Sequence, residues 1–164
     1  MVDVNKAIED LQLRVAELEG RSAIRDLVSD YCHGFDKRDY ARFLAIWWPD
    51  CVWDIGPPFG TFHGHDGIHK AIHEVLWPAW AESHHLTTNL RISFLDRDNA
   101  TSVSDVDCVG TLVGDQDCQV VGATYRDTLQ CREGVWKIYK RNVQIHYFNP
   151  VVGTQLVGPQ AVED

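Results

Sequence analysis

The chain has 164 residues, with 15 basic against 24 acidic side chains and a formal charge of −9. Hydrophobic residues make up 45% and aromatics 10%, enough apolar surface for one folded domain and too much for a disordered chain. The acidic balance argues against nucleic acid or an anionic membrane as partner, because both call for a basic face.

No apolar run reaches the length of about 18 residues that a spanning helix needs. The opening MVDVNKAIEDLQ lacks the basic-then-apolar layout of a secretory signal. The five cysteines, Cys32, Cys51, Cys108, Cys118 and Cys131, are odd in number and form no CxxC. They read as reduced thiols of a cytoplasmic protein.

Along the chain, Val4, Ile8, Leu11, Val15 and Leu18 recur at 4-3-4-3 spacing, the seam of an amphipathic helix. That helix, residues 1–20, is expected to end at Gly20 as an arm packed on the domain, on a neighbouring subunit, or in a short coiled coil. Ser22 is the expected N-cap of a second helix with Ile24, Leu27, Val28, Tyr31 and Phe35 inward. Asp39 is suited to cap a third, Tyr40 to Trp47, stopped by Pro49. A short strand at Cys51–Ile55, a loop at Gly56–Gly60 and a helix from Asp66 to Trp77 ended by Pro78 follow.

From there the period changes. Residues 86–95, 101–112, 119–131 and 135–148 read as long strands of an antiparallel meander, separated by DRDN, VGDQD and REG turns. Residues 151–164 form a Gly/Pro-interrupted tail. Helices first and then a curved sheet make an α+β fold, with the domain proper at 21–150 and a cone-shaped cavity between helices and sheet.

Walker A, GxGxxG, GxSxG and HExxH motifs are all missing from the sequence. What remains is a scatter of ionisable residues on apolar elements. Asp36 follows Phe35 at the end of an apolar helical face. It either caps the turn or holds a catalytic group. Tyr31 lies five residues earlier, about 140° away in helical phase, so spacing alone does not pair the two unless the helix end bends.

In His84-His85, ahead of a strand, only one ring can face inward. His85 is either a hydrogen-bonded structural histidine or a general base whose ordinary pKa near 6.5 suits proton abstraction. A carboxylate on its other nitrogen, such as Asp36, would fix the tautomer. Arg141 is either a surface cation or a stabiliser of charge on a leaving group. His69 and His73 sit four apart on a helix, a spacing that can hold a metal, but they lie beside the buried face and read as solvated. No metal site is expected.

One collinear set of short stretches is distinctive: Ala23-Ile-Arg-Asp-Leu27, Asp36-Lys-Arg38, Ile46-Trp-Trp-Pro-Asp50, Val75-Leu-Trp-Pro78, His85 with Thr88-Asn-Leu-Arg91, and Lys140-Arg-Asn142. In order and spacing it resembles the SnoaL-like branch of the nuclear-transport-factor-2-like superfamily, and within it the hexachlorocyclohexane dehydrochlorinases. The resemblance implies a cone-shaped, cystatin-like α+β barrel, a homotrimer or homodimer built on the outer sheet face, and a cofactor-free lyase. It places a His–Asp dyad on His85 and Asp36 and an arginine on Arg141. The apolar walls for a hydrophobic small-molecule substrate fall on Trp53, Leu76, Trp80, Val106, Cys108, Val121, Ala123 and Tyr125.

Two positions depart from that pattern. Tyr31 stands where the dehydrochlorinases carry a lysine, and Tyr-x4-Asp resembles the pair of bile-acid 7α-dehydratases, more distantly scytalone dehydratases. His146 stands where the dehydrochlorinases have an amide. Both departures favour an oxygenated substrate, such as a lignin-derived diarylpropane, with Tyr31 or His146 assisting the leaving group and His146 and Tyr147 binding hydroxyls. The expected function is thus cofactor-independent elimination: dehydration, deformylation or dehydrohalogenation. The alternatives are an isomerase like ketosteroid isomerase, a non-catalytic binding module, or an oxygenase small subunit.

Overall fold

The computed structural model describes residues 3–153. Its helices and sheet follow the expected α+β division, with several changes of boundary. The first helix, α1, runs unbroken from Val4 to Asp36, capped by the Asp3 side chain. Gly20 does not end it. A Cβ there would lie 3.0 Å from Trp136 Nε1 and 3.2 Å from Phe94, so the glycine is a close-approach site against the sheet. Ser22 accordingly caps nothing. The same helix carries the exposed arm and then buries Ile24, Leu27, Tyr31 and Phe35 in the core.

Asp39 does cap α2, Tyr40–Ala45, accepting from the Arg42 amide. Gly34 permits that helix to cross α1, since a Cβ would stand 2.8 Å from the Phe43 amide. The chain then enters β1, Trp47–Gly56, earlier than expected. Pro49 sits inside it where the register shifts between Trp47 and Val52, an irregularity that tolerates a missing N–H donor. A short β2, Gly60–His63, pairs back on β1 in the stretch between the expected loop and the expected helix.

The next helical stretch begins as α3, Gly64–Lys70, widens to a π-helical turn at Ala71–Leu76 and closes as α4, Trp77–Ala79. Pro78 lies within α4, where a first-turn proline costs no hydrogen bond. Four long strands follow: β3, Trp80–Phe94; β4, Asn99–Leu112; β5, Cys118–Arg132; and β6, Val135–Val151. β3 starts six residues before the expected position, so His84 and His85 lie within it. Of the tail at 151–164, residues 154 onward fall outside the described part.

The sheet order is β2-β1-β6-β5-β4-β3. The meander is antiparallel as expected, but β1 joins β6 in parallel, with Trp53 beside Arg141. That join brings the early helical half of the chain onto the last strand. The core fills the space between, led by Trp47, Trp53, Phe43, Ile24, Ile68, Ile72 and Ile138, all at most 1% exposed. All five cysteines are free thiols. No described helix is long and apolar enough to cross a membrane.

Candidate active site

β3 passes the C-terminal end of α1, and this crossing builds the site. Asp36 is the last residue of α1, and its carboxylate accepts three hydrogen bonds from β3. The Ser83 hydroxyl donates to Oδ1 at 2.8 Å, the His85 amide donates to Oδ2 at 2.8 Å, and His85 Nδ1 lies 2.6 Å from Oδ1. α1 stays helical to Asp36. Tyr31 points straight into the core while Asp36 sits at its edge. His85 stands between them, its ring 5.9 Å from that of Tyr31 and edge-on to it.

The His85 and Asp36 side chains are 8% and 6% exposed. Burial penalises the charge on both, yet their mutual hydrogen bond and attraction prevail. The Asp36 carboxyl is held below its ordinary range. Burial alone would lower the His85 pKa. The bond to Asp36, helped by Cys108 close by, instead pushes it up to about 10. With Nδ1 engaged by the carboxylate, Nε2 is the nitrogen left to meet a reacting proton.

His85 forms part of the wall of a cavity of about 80 Å³. Of the walls named from sequence, Trp53, Leu76, Trp80, Val106, Cys108, Val121, Ala123 and Tyr125 all line it, as does Tyr31. Phe35, Ile55, Phe59, Val143, Ile145 and Phe148 line it as well. Val143 and Ile145 continue the inward alternation from Arg141 on β6, a legible signal. Phe148 breaks that alternation. The β5–β6 register slips between Gly122/Tyr147 and Ala123/Ile145, so one extra residue returns Phe148 to the inner face. Phe148 is 38% exposed and its ring lies 5.9 Å from that of Trp80, which puts the pair at the rim.

Three expectations change. His146 is the residue of that bulge. It is exposed, its Nε2 lies 2.8 Å from the Thr124 hydroxyl near Asp105, and it lines no part of the cavity. The bulge aims it at the outer face, so it neither binds substrate nor protonates a leaving group inside. Tyr147 likewise points outward and donates to Asp107.

Arg141 is inside the core but does not line the cavity. Its Nε and Nη2 donate to the two oxygens of Asp127, each at 2.8 Å, and the pair is 0% and 1% exposed. Its guanidinium lies 4.3 Å from the ring centroids of both Tyr31 and Tyr125. The arginine therefore reaches the cavity through the phenols. Burial raises the Tyr31 pKa to about 12 in spite of Arg141, which acts to lower it, and Tyr31 stays a protonated phenol across the working range.

The remaining histidines sit apart. His69 and His73 are exposed and pack on Tyr40, the first edge-on and the second tilted, and His73 also meets Trp77 edge-on. Among the described residues, no three His, Cys, Asp or Glu side chains gather closely enough to hold a metal ion.

Comparison with known proteins matches this architecture. Hexachlorocyclohexane dehydrochlorinase 1 of Sphingobium indicum is 39% identical over 145 residues, 88% of this chain and 94% of that one. The crystal structure of a type 2 hexachlorocyclohexane dehydrochlorinase, LinA, superposes with a TM-score of 0.84 at 38% identity, covering 89% of this chain and 98% of that one. A Nostoc punctiforme protein with a cystatin-like fold shares the fold at 21% identity, with a TM-score of 0.65 over 76% of this chain and 90% of its own. The SnoaL-like domain matches residues 16–142, which span Asp36, His85 and Arg141, and the chain belongs to the SnoaL-like family.

Proposed function

We propose that the protein is a cofactor-independent lyase that eliminates a small group from a bulky, hydrophobic aromatic or alicyclic molecule. The observation that carries this reading is the 2.6 Å contact of His85 Nδ1 with Asp36 at the wall of an apolar cavity. Its relatives at 38–39% identity are named dehydrochlorinases, enzymes of elimination.

In the proposed step, His85 Nε2 takes a proton from a substrate carbon. The C–H electron pair becomes the new double bond, and the bond to the leaving group breaks with its electrons on that group. Asp36 stabilises the imidazolium. Tyr31, a neutral phenol within the same cavity, donates to the departing atom, and Arg141 on its ring face eases the charge that develops on the phenol. General acid–base assistance of this kind supplies about 10²–10⁴ in rate, and a desolvated cavity strengthens each electrostatic contact. Because Tyr31 supplies a proton donor, the favoured leaving group is oxygen, as in a hydroxylated diarylpropane. If His85 takes the proton of a hydroxymethyl group instead, the O–H electrons form the carbonyl of formaldehyde, the adjacent C–C bond breaks, and its electron pair becomes the new double bond as the neighbouring hydroxyl leaves with a proton from Tyr31.

The test is an assay by mass spectrometry on hydroxylated diarylpropanes, hydroxysteroids and chlorinated rings. Loss of water, formaldehyde or HCl from one class, abolished in His85→Ala and Asp36→Asn, supports the reading. Turnover retained in both variants, or a product of unchanged mass, overturns it; the latter marks an isomerase.

A further inference from the structure

Asp36 sits where a carboxylate is not favoured. It ends a helix of 33 residues, and the last turn presents the negative end of the helix dipole. The donors that offset this all come from β3. Cys32 and Asp36, one turn apart on α1, meet Ser83, His85 and Thr87, alternate residues of β3, with Thr87 Oγ1 3.2 Å from Cys32 Sγ. A bulge sets that face of the strand. β3 carries one extra residue against β4 between Trp80 and Glu82. Trp80 and His85 therefore both face inward although five residues apart, and Ser83 falls in line with His85.

The three bonds to Asp36 are not equivalent. The His85 amide takes Oδ2 alone. Oδ1 serves both the Ser83 hydroxyl at 2.8 Å and His85 Nδ1 at 2.6 Å, so hydroxyl and ring draw on one oxygen. Ser83 lines no part of the catalytic cavity. With Asp36 it lines an open cleft on the other side of the dyad, out of reach of a molecule held against His85. We propose that Ser83 is a positioning residue of the dyad: its hydroxyl fixes the carboxylate against β3 and draws on Oδ1, so that Asp36 orients His85 without holding its proton too tightly. Its bearing on turnover rests on the elimination proposed above. The titratable groups facing His85 are Asp36 and Tyr31 on α1 and Cys108 on β4, whose Sγ lies 3.8 Å from Nδ1. Beyond Tyr31 stand Tyr125 on β5 and Arg141 on β6. Lys37, Arg38, Glu82 and His84 border the cleft on the Asp36 side. Of these groups and Ser83, only Ser83 shares Oδ1 with the ring. Without the hydroxyl, that oxygen would turn more of its charge on the imidazolium. The neutral base would then be rarer still, beneath a pKa already pushed up to about 10.

NMR of the full-length protein with nitrogen-labelled histidine tests this without a substrate. In Ser83→Ala the His85 titration should move up by about half a unit to one unit. Ser83→Thr keeps the hydroxyl, has room for its methyl in the cleft, and should titrate as the wild type does. Ser83→Cys, a weaker donor of similar size, should fall between them; if the alanine variant does not fold, cysteine against threonine makes the same comparison. On whichever substrate loses mass in the assay above, kcat/KM at neutral pH should fall about threefold to tenfold in Ser83→Ala, since the neutral fraction of the base falls tenfold per unit. The loss should lie in kcat, with KM unchanged, and threonine should restore it. A His85 titration that stays or moves down in Ser83→Ala, or a threonine variant that follows alanine, overturns the proposal. Turnover retained in His85→Ala removes the elimination reading instead, and the titration shift would still support the hydroxyl's hold on the dyad.

Discussion

Two carboxylates hold cations in this core, and they are finished differently. Asp127 ties down Arg141 through two 2.8 Å bonds from Nε and Nη2, and neither side chain reaches solvent, although Nη1 is left without a hydrogen-bond partner. Asp36 saturates one side of His85 only, and leaves the other nitrogen to the cavity. The closed pair fixes a cation under Tyr31 and Tyr125 and can do no proton chemistry of its own. The open pair keeps one ring nitrogen facing the cavity, and the proton on it can come and go as pH passes about 10. A buried ion pair is thus an anchor or a reagent according to whether its spare group faces a cavity and can give up its proton.

The comparison can be broken at either end. His85→Ala should give the largest effect, a fall of about 10²–10⁴ in turnover with an unchanged fold by circular dichroism. Asp127→Asn should do the opposite. It strands a buried guanidinium and costs about 3–5 kcal/mol in denaturant unfolding, with activity falling only as the fold does. Tyr31→Phe removes a single hydrogen-bond donor and should lower turnover about tenfold on an oxygen leaving group.

The pH dependence sharpens the contrast. His85 acts as base only when neutral, so kcat/KM should rise with pH through its raised pKa of about 10, well beyond the ordinary histidine range. Stability should run the other way. The raised His85 pKa contributes fully below the unfolded value near 6.5 and is lost as pH climbs toward 10. The lowered Asp36 pKa contributes above the ordinary carboxylate value and is lost in acid. Melting curves from pH 4 to 10 should therefore show stability declining where activity grows. Smallest of all, Gly20→Ala trades about 1 kcal/mol of helix propensity against a tight contact with Trp136, and should cost no more than about 2 kcal/mol of stability.

Much of this was legible in the sequence where periodicity and local chemistry agree. The four long strands carry alternation and turn residues, and they fall within a few residues of the expected bounds except at the start of β3. The cavity walls followed from the resemblance that the collinear motifs carry. Gly20 misled because a glycine inside a helix reads as a stop unless the aromatic pair it meets, 74 and 116 residues away, is known. The Asp36–His85 contact is likewise a tertiary fact, since helical phase alone set Tyr31 and Asp36 apart. His146 was placed inside by the resemblance alone, against the alternation that runs inward through Val143 and Ile145 and sets it outside. The parallel β1–β6 join depends on a pairing across most of the chain, for which neither strand carries a local mark.

The bulge on β6 has a further bearing. Because the bulge absorbs His146, Phe148 and not Tyr147 faces Trp80 at the cavity mouth, so access is governed by the pairing register at that point and not by side-chain choice alone. Deleting His146 would leave Tyr147 opposite Gly122 and Phe148 opposite Val121, whereas pairing the two strands without a bulge at unchanged length would bring Tyr147 to the entrance, replacing a greasy gatepost with a hydroxylated one. A strand pair of the same sequence length but without the bulge would admit different molecules through an otherwise identical scaffold.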